Sequence, residues 1–399
     1  MNEMKLYQPI PLFSPLSSEI RRALNNIPSL VDEVFPLPRQ FKRALPHDVA
    51  ELSLSLTAER GTRRLSYLTS PPMLSAYLRY FLPWNVFRLC RLLPNLSFSL
   101  KNGDSIVDLG AGPLTLAIAL WIARPDLRAL SLEFLCIDRV GAVLEAGKKL
   151  FAALVAKTGG GNWSVKVVKT DIFEYGFKKG MAPKSELRKG AALLCAVNVF
   201  NESLPSHGSV LKEAEKASRL LRRFSDTCTQ HLVVEPGVPQ CGAFIVALRS
   251  ALINDGVFPL SPCPHKTGCQ FLENRSKWCH FAFGTDDAPE SLLRLSASAG
   301  IPKERAVLSF LFAGRATDGV SAPAKGQTSA RILSDAFFLP NGEKACYGCS
   351  EKGLALIRGE RRIIERLDSG DLCSLVFTKP EKRDKKSGAL IAALSLPPT

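Results

Sequence analysis

The hydrophobic pattern changes character three times along the chain. Up to about residue 100, apolar positions recur at helical spacing. Leu45-Pro-His-Asp-Val-Ala-Glu-Leu52 and Leu74-Ser-Ala-Tyr-Leu-Arg-Tyr-Phe-Leu82 are examples, and Pro71, Pro72, Pro83 and Pro94 punctuate them. From 101 to 258, short β-type runs at 105–109, 134–138, 165–170, 191–198 and 231–235 alternate with helical stretches. Strands that alternate with helices predict a parallel sheet covered on both faces. Residues 259–285 break the pattern with closely spaced cysteines. Apolar runs then resume at 306–312, 330–334 and 353–357, separated by Gly/Ala/Ser-rich loops such as 314–326. Five parts follow from this: a helical region at 1–100, an α/β core at 101–258, a Cys-rich segment at 259–285, a part at 286–375 that completes the sheet, and a basic tail at 376–399.

Composition narrows the class. With 399 residues and 46% hydrophobic positions, the chain can bury a large core and is no disordered polymer. A net charge of +15 favours a polyanionic partner, nucleic acid first. The longest apolar run, 114–123, stops at Arg124, well short of the ~20 residues of a membrane span. The N-terminus has no basic segment followed by an apolar one, so the expectation is a cytoplasmic protein with no membrane partner and reduced thiols. Cys90, Cys136, Cys195, Cys228, Cys241 and Cys373 stand singly among apolar neighbours and read as core.

Ile106-Val-Asp-Leu-Gly-Ala-Gly112 ends a predicted strand in a glycine turn, with Pro113 suited to a first helical turn. A dinucleotide fingerprint would require a third glycine where Thr115 stands. An acid two residues before the first glycine fits S-adenosylmethionine (SAM), whose ammonium and sulfonium charges make nearby carboxylates useful. Asp108, Gly110 and Gly112 are therefore candidate cofactor residues. Asp138, ending the second strand, would accept the ribose hydroxyls, and Asp171, after the third, the adenine amino group. The competing reading of each aspartate is a helix cap or turn residue.

Three thiols crowd into seventeen residues, Cys263-Pro-His-Lys-Thr-Gly-Cys269 and then Cys279, and Cys346-Tyr-Gly-Cys349 follows much later. Thiolates in such number suit zinc or an iron–sulfur cluster. Only Cys346/Cys349 has the short spacing usual for zinc. His265 and His280 are zinc-compatible alternatives.

Asp108-Leu-Gly-Ala-Gly-Pro113, Val234-Glu-Pro-Gly237, Pro262-Cys-Pro-His265, Trp278-Cys-His-Phe281 and Tyr347-Gly-Cys-Ser-Glu-Lys-Gly-Leu354 resemble the small-ribosomal-subunit methyltransferase-like family of bacteria and mitochondria. The resemblance runs from about 45 to 355. It implies a Rossmann-like SAM-dependent methyltransferase fold with a Cys-rich metal-binding insertion and a C-terminal β-containing part. It also implies SAM as cofactor and a four-iron cluster held by Cys263, Cys269, Cys279 and Cys349, with zinc as the alternative. The implied partner is the small ribosomal subunit and its RNA. Leu114 stands where the family has glycine, an expected obstruction to the methionine end of SAM. Ala196-Val-Asn-Val-Phe-Asn-Glu-Ser203 follows the fourth strand but is not the Asn/Asp-Pro-Pro-aromatic motif of amino methylation, and no catalytic residue is assigned. The function expected is a SAM-dependent methyltransferase acting on small-subunit ribosomal RNA or in subunit assembly. The alternative is an RNA-binding assembly factor without turnover. The sequence does not give the oligomeric state.

Overall fold

The computed structural model describes residues 9–57, 70–177, 190–204, 209–225, 229–272, 277–315 and 328–395. Cys228 and most of the 314–326 loop lie outside them. Four helices come first: α1 (Ser18–Val34), α2 (Arg39–Thr57), α3 (Pro71–Ala76) and α4 (Leu82–Leu92). Between α3 and α4 the helix widens into one π turn, Tyr77–Phe81, in which the Leu82 N–H reaches the Tyr77 carbonyl. Pro83 supplies the local reason, since it has no N–H with which to continue the α ladder.

The core then alternates β1 (Asp104–Leu109), α5 (Thr115–Ala123), β2 (Leu132–Asp138), α6 (Gly141–Lys157), β3 (Trp163–Lys169), α7 (Ile172–Phe177), β4 (Ala191–Val197), α8 (Val210–Phe224), β5 (Gln230–Pro236) and α9 (Pro239–Asn254). After these come β6 (Phe258–Ser261), β7 (Phe281–Gly284), α10 (Glu290–Ser298) and β8 (Arg305–Gly314). The sheet order is β3-β2-β1-β4-β5-β8-β6, with β7 also on β8. β1 to β5 pair in parallel and β8 runs antiparallel to β5. Alternate strand residues feed two cores: Ile106, Phe134 and Leu193 face one side, and Val107, Leu135 and Leu194 the other.

The apolar run at 114–123 becomes α5, buried on every side between the sheet and the N-terminal helices. Its hydrophobicity serves a two-sided interior. No helix among the described residues is long and apolar enough to cross a membrane.

β6 and β7 are two halves of one edge strand. Ser261 pairs with Phe312 and Phe281 with Leu308, so the Cys-rich segment leaves the sheet edge and returns to it. Beyond β8 the chain forms a second sheet from β9 (Thr328–Ile332), β10 (Phe337–Phe338), β11 (Lys344–Ser350), β12 (Gly353–Gly359), β13 (Leu372–Phe377) and β14 (Leu390–Leu394), with α11 (Arg361–Ile364) between β12 and β13. β9 pairs with both β11 and β13, which closes the ring β9-β11-β12-β14-β13. Only β12 and β14 run parallel. This strand order, with a helix between the third and fourth ring strands, is that of an OB-fold barrel.

The barrel corrects the expectation of a basic tail at 376–399. Within the described residues, that segment is the β13–β14 connection followed by a ring strand. Leu390 and Ala392 alternate inward along it and are buried, a short apolar signal masked by the charges before it.

One buried base makes the core sensitive to acid. His231 on β5 is 3% exposed; its Nε2 meets Ser225 Oγ at 2.7 Å, and its Nδ1 is buried with no partner. Burial, then the Arg315 charge, lowers its pKa from 6.5 to about 4. The unfolded chain takes up this proton first, so stability present above pH 6.5 is lost as pH falls through 4, at up to about 1.4 kcal/mol per unit. Urea unfolding followed from pH 7 to 4 will show that loss, and His231→Gln will reduce its slope.

Candidate functional site

The parallel strands end together where β1 and β4 send their following helices to opposite faces of the sheet, the place at which open α/β sheets take ligands. A cleft of about 270 Å3 opens there, and Asp108, Gly110, Gly112, Asp138 and Asp171 all line it. Gly110 and Gly112 have φ of 68° and 53°. A Cβ on Gly110 would lie 2.2 Å from a Val199 methyl, so the loop after β4 closes over a turn only glycine allows.

The three aspartates differ. Asp108 is fully buried and both carboxylate oxygens lack partners. Burial, then the Asp138 charge, raises its pKa well above the usual carboxylate range. Asp138 accepts from Gly112 N at 2.9 Å and Val140 N at 2.8 Å, which ties the glycine loop to β2. Burial also raises its pKa, against those N–H donors. Asp171 accepts from Phe173 N and Glu174 N and so caps α7 while facing the cleft.

Leu114 does not obstruct. It adopts a left-handed backbone, φ 56° and ψ 38°, and its side chain is buried in the core and absent from the cleft walls. The backbone keeps the conformation that glycine would take, at a strain of about 1–3 kcal/mol.

Several cleft residues carry no sequence motif. Glu235, at the end of β5, is fully buried and accepts from Phe200 N at 2.8 Å and Asn201 N at 3.2 Å. Burial pushes its carboxyl up to about 8 against those bonds. It pins the loop after β4, and only its place in Val234-Glu-Pro-Gly237 hinted at a role. Tyr77, from the π turn, reaches the same cleft, and burial, then Glu202 and Asp138, raises its phenol pKa.

A second cavity of about 540 Å3 adjoins the first and shares Tyr77, Asn85, Asn198 and Glu202 with it. Tyr80, Phe81 and Trp84 form one side, Trp278 and His280 another. The Trp278 and His280 rings stack at 4.8 Å. His280, a candidate zinc ligand by sequence, therefore belongs to this cavity.

Cys279 lies between these two aromatics. Its pKa is raised by burial and by the Cys263, Cys349 and Cys269 thiols, in that order, so the four sulfurs share one neighbourhood. Cys349 rises to about 12, through burial and then Cys263 and Cys269. Cys349 comes from β11 of the barrel and the other three from the insertion in the edge strand. Cys346, three residues earlier on β11, points into the barrel core. An odd separation on a strand places two side chains on opposite faces, so the Cys346/Cys349 pair does not chelate. His265 does approach, its Nε2 3.7 Å from Cys349 Sγ.

Two buried guanidiniums flank the thiols. Arg249 on α9 donates to Cys263 Sγ at 3.2 Å and to the carbonyls of His265 and Thr267. Arg331, paired with Cys349 across β9 and β11, donates to the Pro262 carbonyl at 2.8 Å. Gly242 of α9 has no Cβ to strike the Trp278 ring, which lets the insertion sit against the helix.

Strand order and cleft define the class: this is the Rossmann-like fold of SAM-dependent methyltransferases. Solved structures similar to the chain include a SAM-dependent methyltransferase from Geobacter sulfurreducens with S-adenosyl-L-homocysteine (12% identity, TM-score 0.32, 66% of this chain and 97% of that one). Geranyl diphosphate C-methyltransferase from Streptomyces coelicolor A3(2) is another (9%, TM-score 0.34, 70% and 99%). No curated protein sequence matches. A family model described as mitochondrial small ribosomal subunit Rsm22 matches residues 74–354, and the chain belongs to that family.

Gly110→Ala tests the turn. It places a methyl against Val199 and strains a positive φ, so unfolding free energy will fall by about 1–3 kcal/mol in thermal or urea melts. An unchanged melting curve would show that the loop after β4 does not pack as described.

Proposed function

We propose that the chain binds SAM in the first cleft and works as a methyltransferase on small-subunit ribosomal RNA, or in assembly of that subunit, with a four-iron cluster at the thiols. The carrying observation is the cleft itself. A fully buried carboxylate with two unmet oxygens, Asp108, lies beneath a glycine turn that leaves backbone room for a ligand. Buried polar atoms without partners are costly, and a ligand with cationic and N–H groups supplies what these lack. Asp138 would hold the ribose hydroxyls with its remaining lone pairs, and Asp171 the adenine amino group. Bound SAM would supply an electrophilic methyl group. The chain's residues would orient the cofactor, hold the acceptor and exclude water. With Leu114 turned into the core, nothing on that wall argues for lost turnover.

Cys263, Cys269, Cys279 and Cys349 fit a soft metal centre. Packed together without one, they resist ionisation; metal charge would favour the thiolates, and Arg249 and Arg331 balance the negative charge that results. Among the described residues, no three of these sulfurs lie all within 4.8 Å of one another. Zinc, with bonds near 2.3 Å, would hold its sulfurs about 3.8 Å apart. The wider spacing favours the multinuclear centre. Its part is structural: it staples the insertion to the barrel.

The family's printed description supports the small-subunit partner, and the charge of +15 supports contact with RNA phosphates. The ten free thiols of the described residues suit a reducing compartment. Cytoplasmic residence is the reading taken from the sequence, and the mitochondrion of the family description is the other.

Two measurements test this. Titrated calorimetrically with S-adenosylhomocysteine, the wild type will bind and Asp138→Asn will bind about ten- to a hundredfold more weakly, the cost of charge-assisted hydrogen bonds; no heat from the wild type rejects the cofactor site. Anaerobically purified protein will carry visible iron–sulfur absorption that Cys263→Ser or Cys349→Ser removes and Cys346→Ser leaves. Colourless protein with stoichiometric zinc rejects the cluster.

A further inference from the structure

The second cavity has no assigned occupant, and its geometry identifies one. Its seam with the cofactor cleft is Asn198, the residue directly after β4. Asn198 holds a positive φ of 55°, a backbone that a side chain tolerates only at a cost. It is held there from both sides. Its N–H donates to the Val234 carbonyl at 2.7 Å, and the Asn201 side-chain amide, oriented to satisfy both its ends, donates to the Asn198 carbonyl at 2.9 Å and to Glu235 at 3.1 Å. The buried Glu235 carboxylate also receives the Phe200 and Asn201 N–H groups. A strained, over-determined backbone thus delivers one side chain to the boundary of both cavities. The amide oxygen of that side chain, Oδ1, is buried and has no hydrogen-bond partner.

The other amide at the seam is already engaged. Asn85 accepts from Arg88 and bonds to the Tyr77 hydroxyl. Asn198 Oδ1 is the acceptor left open, and what it lacks is an N–H or O–H donor. The cavity beyond it selects a planar one. Tyr77, Phe81 and Trp84 come from the π turn and the helix after it, and Trp278 with His280 from the end of the Cys-rich insertion. Aromatic walls of this kind stack bases drawn from single-stranded RNA. Lys303 reaches over the Tyr80 and Trp84 rings, at 6.0 and 5.7 Å to their centroids, and adds a cation for a phosphate. A volume of about 540 Å3 suits one nucleotide, extruded from its strand.

We infer that the second cavity holds a single flipped-out nucleobase carrying an exocyclic amine, and that Asn198 Oδ1 accepts an N–H of that amine and turns its nitrogen toward the cofactor cleft. The inference rests on the reading of the first cleft as the SAM site and deepens it by naming the acceptor. In the transfer this permits, the amine lone pair forms the new N–C bond. The S–C bond of S-adenosylmethionine breaks with its electron pair on sulfur, and one proton leaves to water. An amide-protein acceptor fits less well, since a glutamine side chain would leave the aromatic walls without a stacking partner.

The test uses the full chain with its metal centre intact and short unstructured RNAs of uridines around one adenine or cytosine. Each is matched by an RNA carrying the same base without its amino group. Fluorescence anisotropy on the wild type will show about tenfold tighter binding of the amino-bearing RNA, the worth of one buried hydrogen bond. Asn198→Gly fits the positive φ and removes the acceptor, so it will keep the fold and erase the preference, while Asn198→Asp will retain an acceptor and restore much of it. Equal binding of both RNAs by the wild type, or a preference that survives in Asn198→Gly, overturns the inference. So does displacement of the RNA by a glutamine-bearing peptide, which would make the acceptor a protein. S-adenosylhomocysteine titrated into the same samples reads the first cleft alone, so failure of the cofactor reading and failure of the base pocket are separate results.

Discussion

Everything in the α/β core depends on the reversal of strand order between β1 and β4. A parallel sheet brings the carboxyl ends of its strands to one edge, and helices that leave those ends to opposite faces cannot fill the gap between them. The chain spends its unusual conformations there: glycines at positive φ in one loop, a positive-φ asparagine in the other, and Val199 closing over Gly110. Buried acids hold the arrangement from below. Asp138 grips the first loop and Glu235 the second, each through backbone N–H groups. The cleft is preorganised because its loops hydrogen-bond to the sheet rather than to solvent.

The thiol centre obeys a different constraint. An edge strand has one free side, and here that strand is interrupted so that an insertion can leave it and return. The insertion cannot bury itself, so it packs between α9 and the outer face of β11. Strand alternation then divides the work of three consecutive residues. Trp278 and His280 face the second cavity while Cys279 faces the other thiols. A centre that orders Cys279 therefore also orders one wall of the cavity. The metal site and the ligand site are coupled through adjacent residues of one segment.

Much of the fold was legible. The β-type runs at 105–109, 134–138, 165–170, 191–198 and 231–235 fall within two residues of the observed strands at either end, since buried parallel strands are continuous apolar runs with turn residues after them. The glycine loop and its aspartates were legible because a close backbone approach requires glycine. The barrel was not. Its strands are short, partly polar and closed by β9 pairing at distant positions, and a charged loop before β14 reads locally as a tail. The second cavity was equally hidden, as its aromatics, from 77–84 and 278–280, look like ordinary core residues in each segment alone.

The sequence by itself determined the alternation of strand and helix, the glycine turn, and the crowding of three thiols into one segment. These are local properties, set by side-chain period, by the absence of a Cβ, and by distance along the chain. Only the tertiary structure decided that Cys349 rather than Cys346 joins those thiols, that Leu114 turns inward, that Asn198 is left with an unmet acceptor, and that Tyr77 meets Trp278 across a cavity. Each of these depends on which face of an element is covered and by what. That is fixed by packing between segments as far apart as the helical N-terminus and the C-terminal barrel, and no window of sequence contains it.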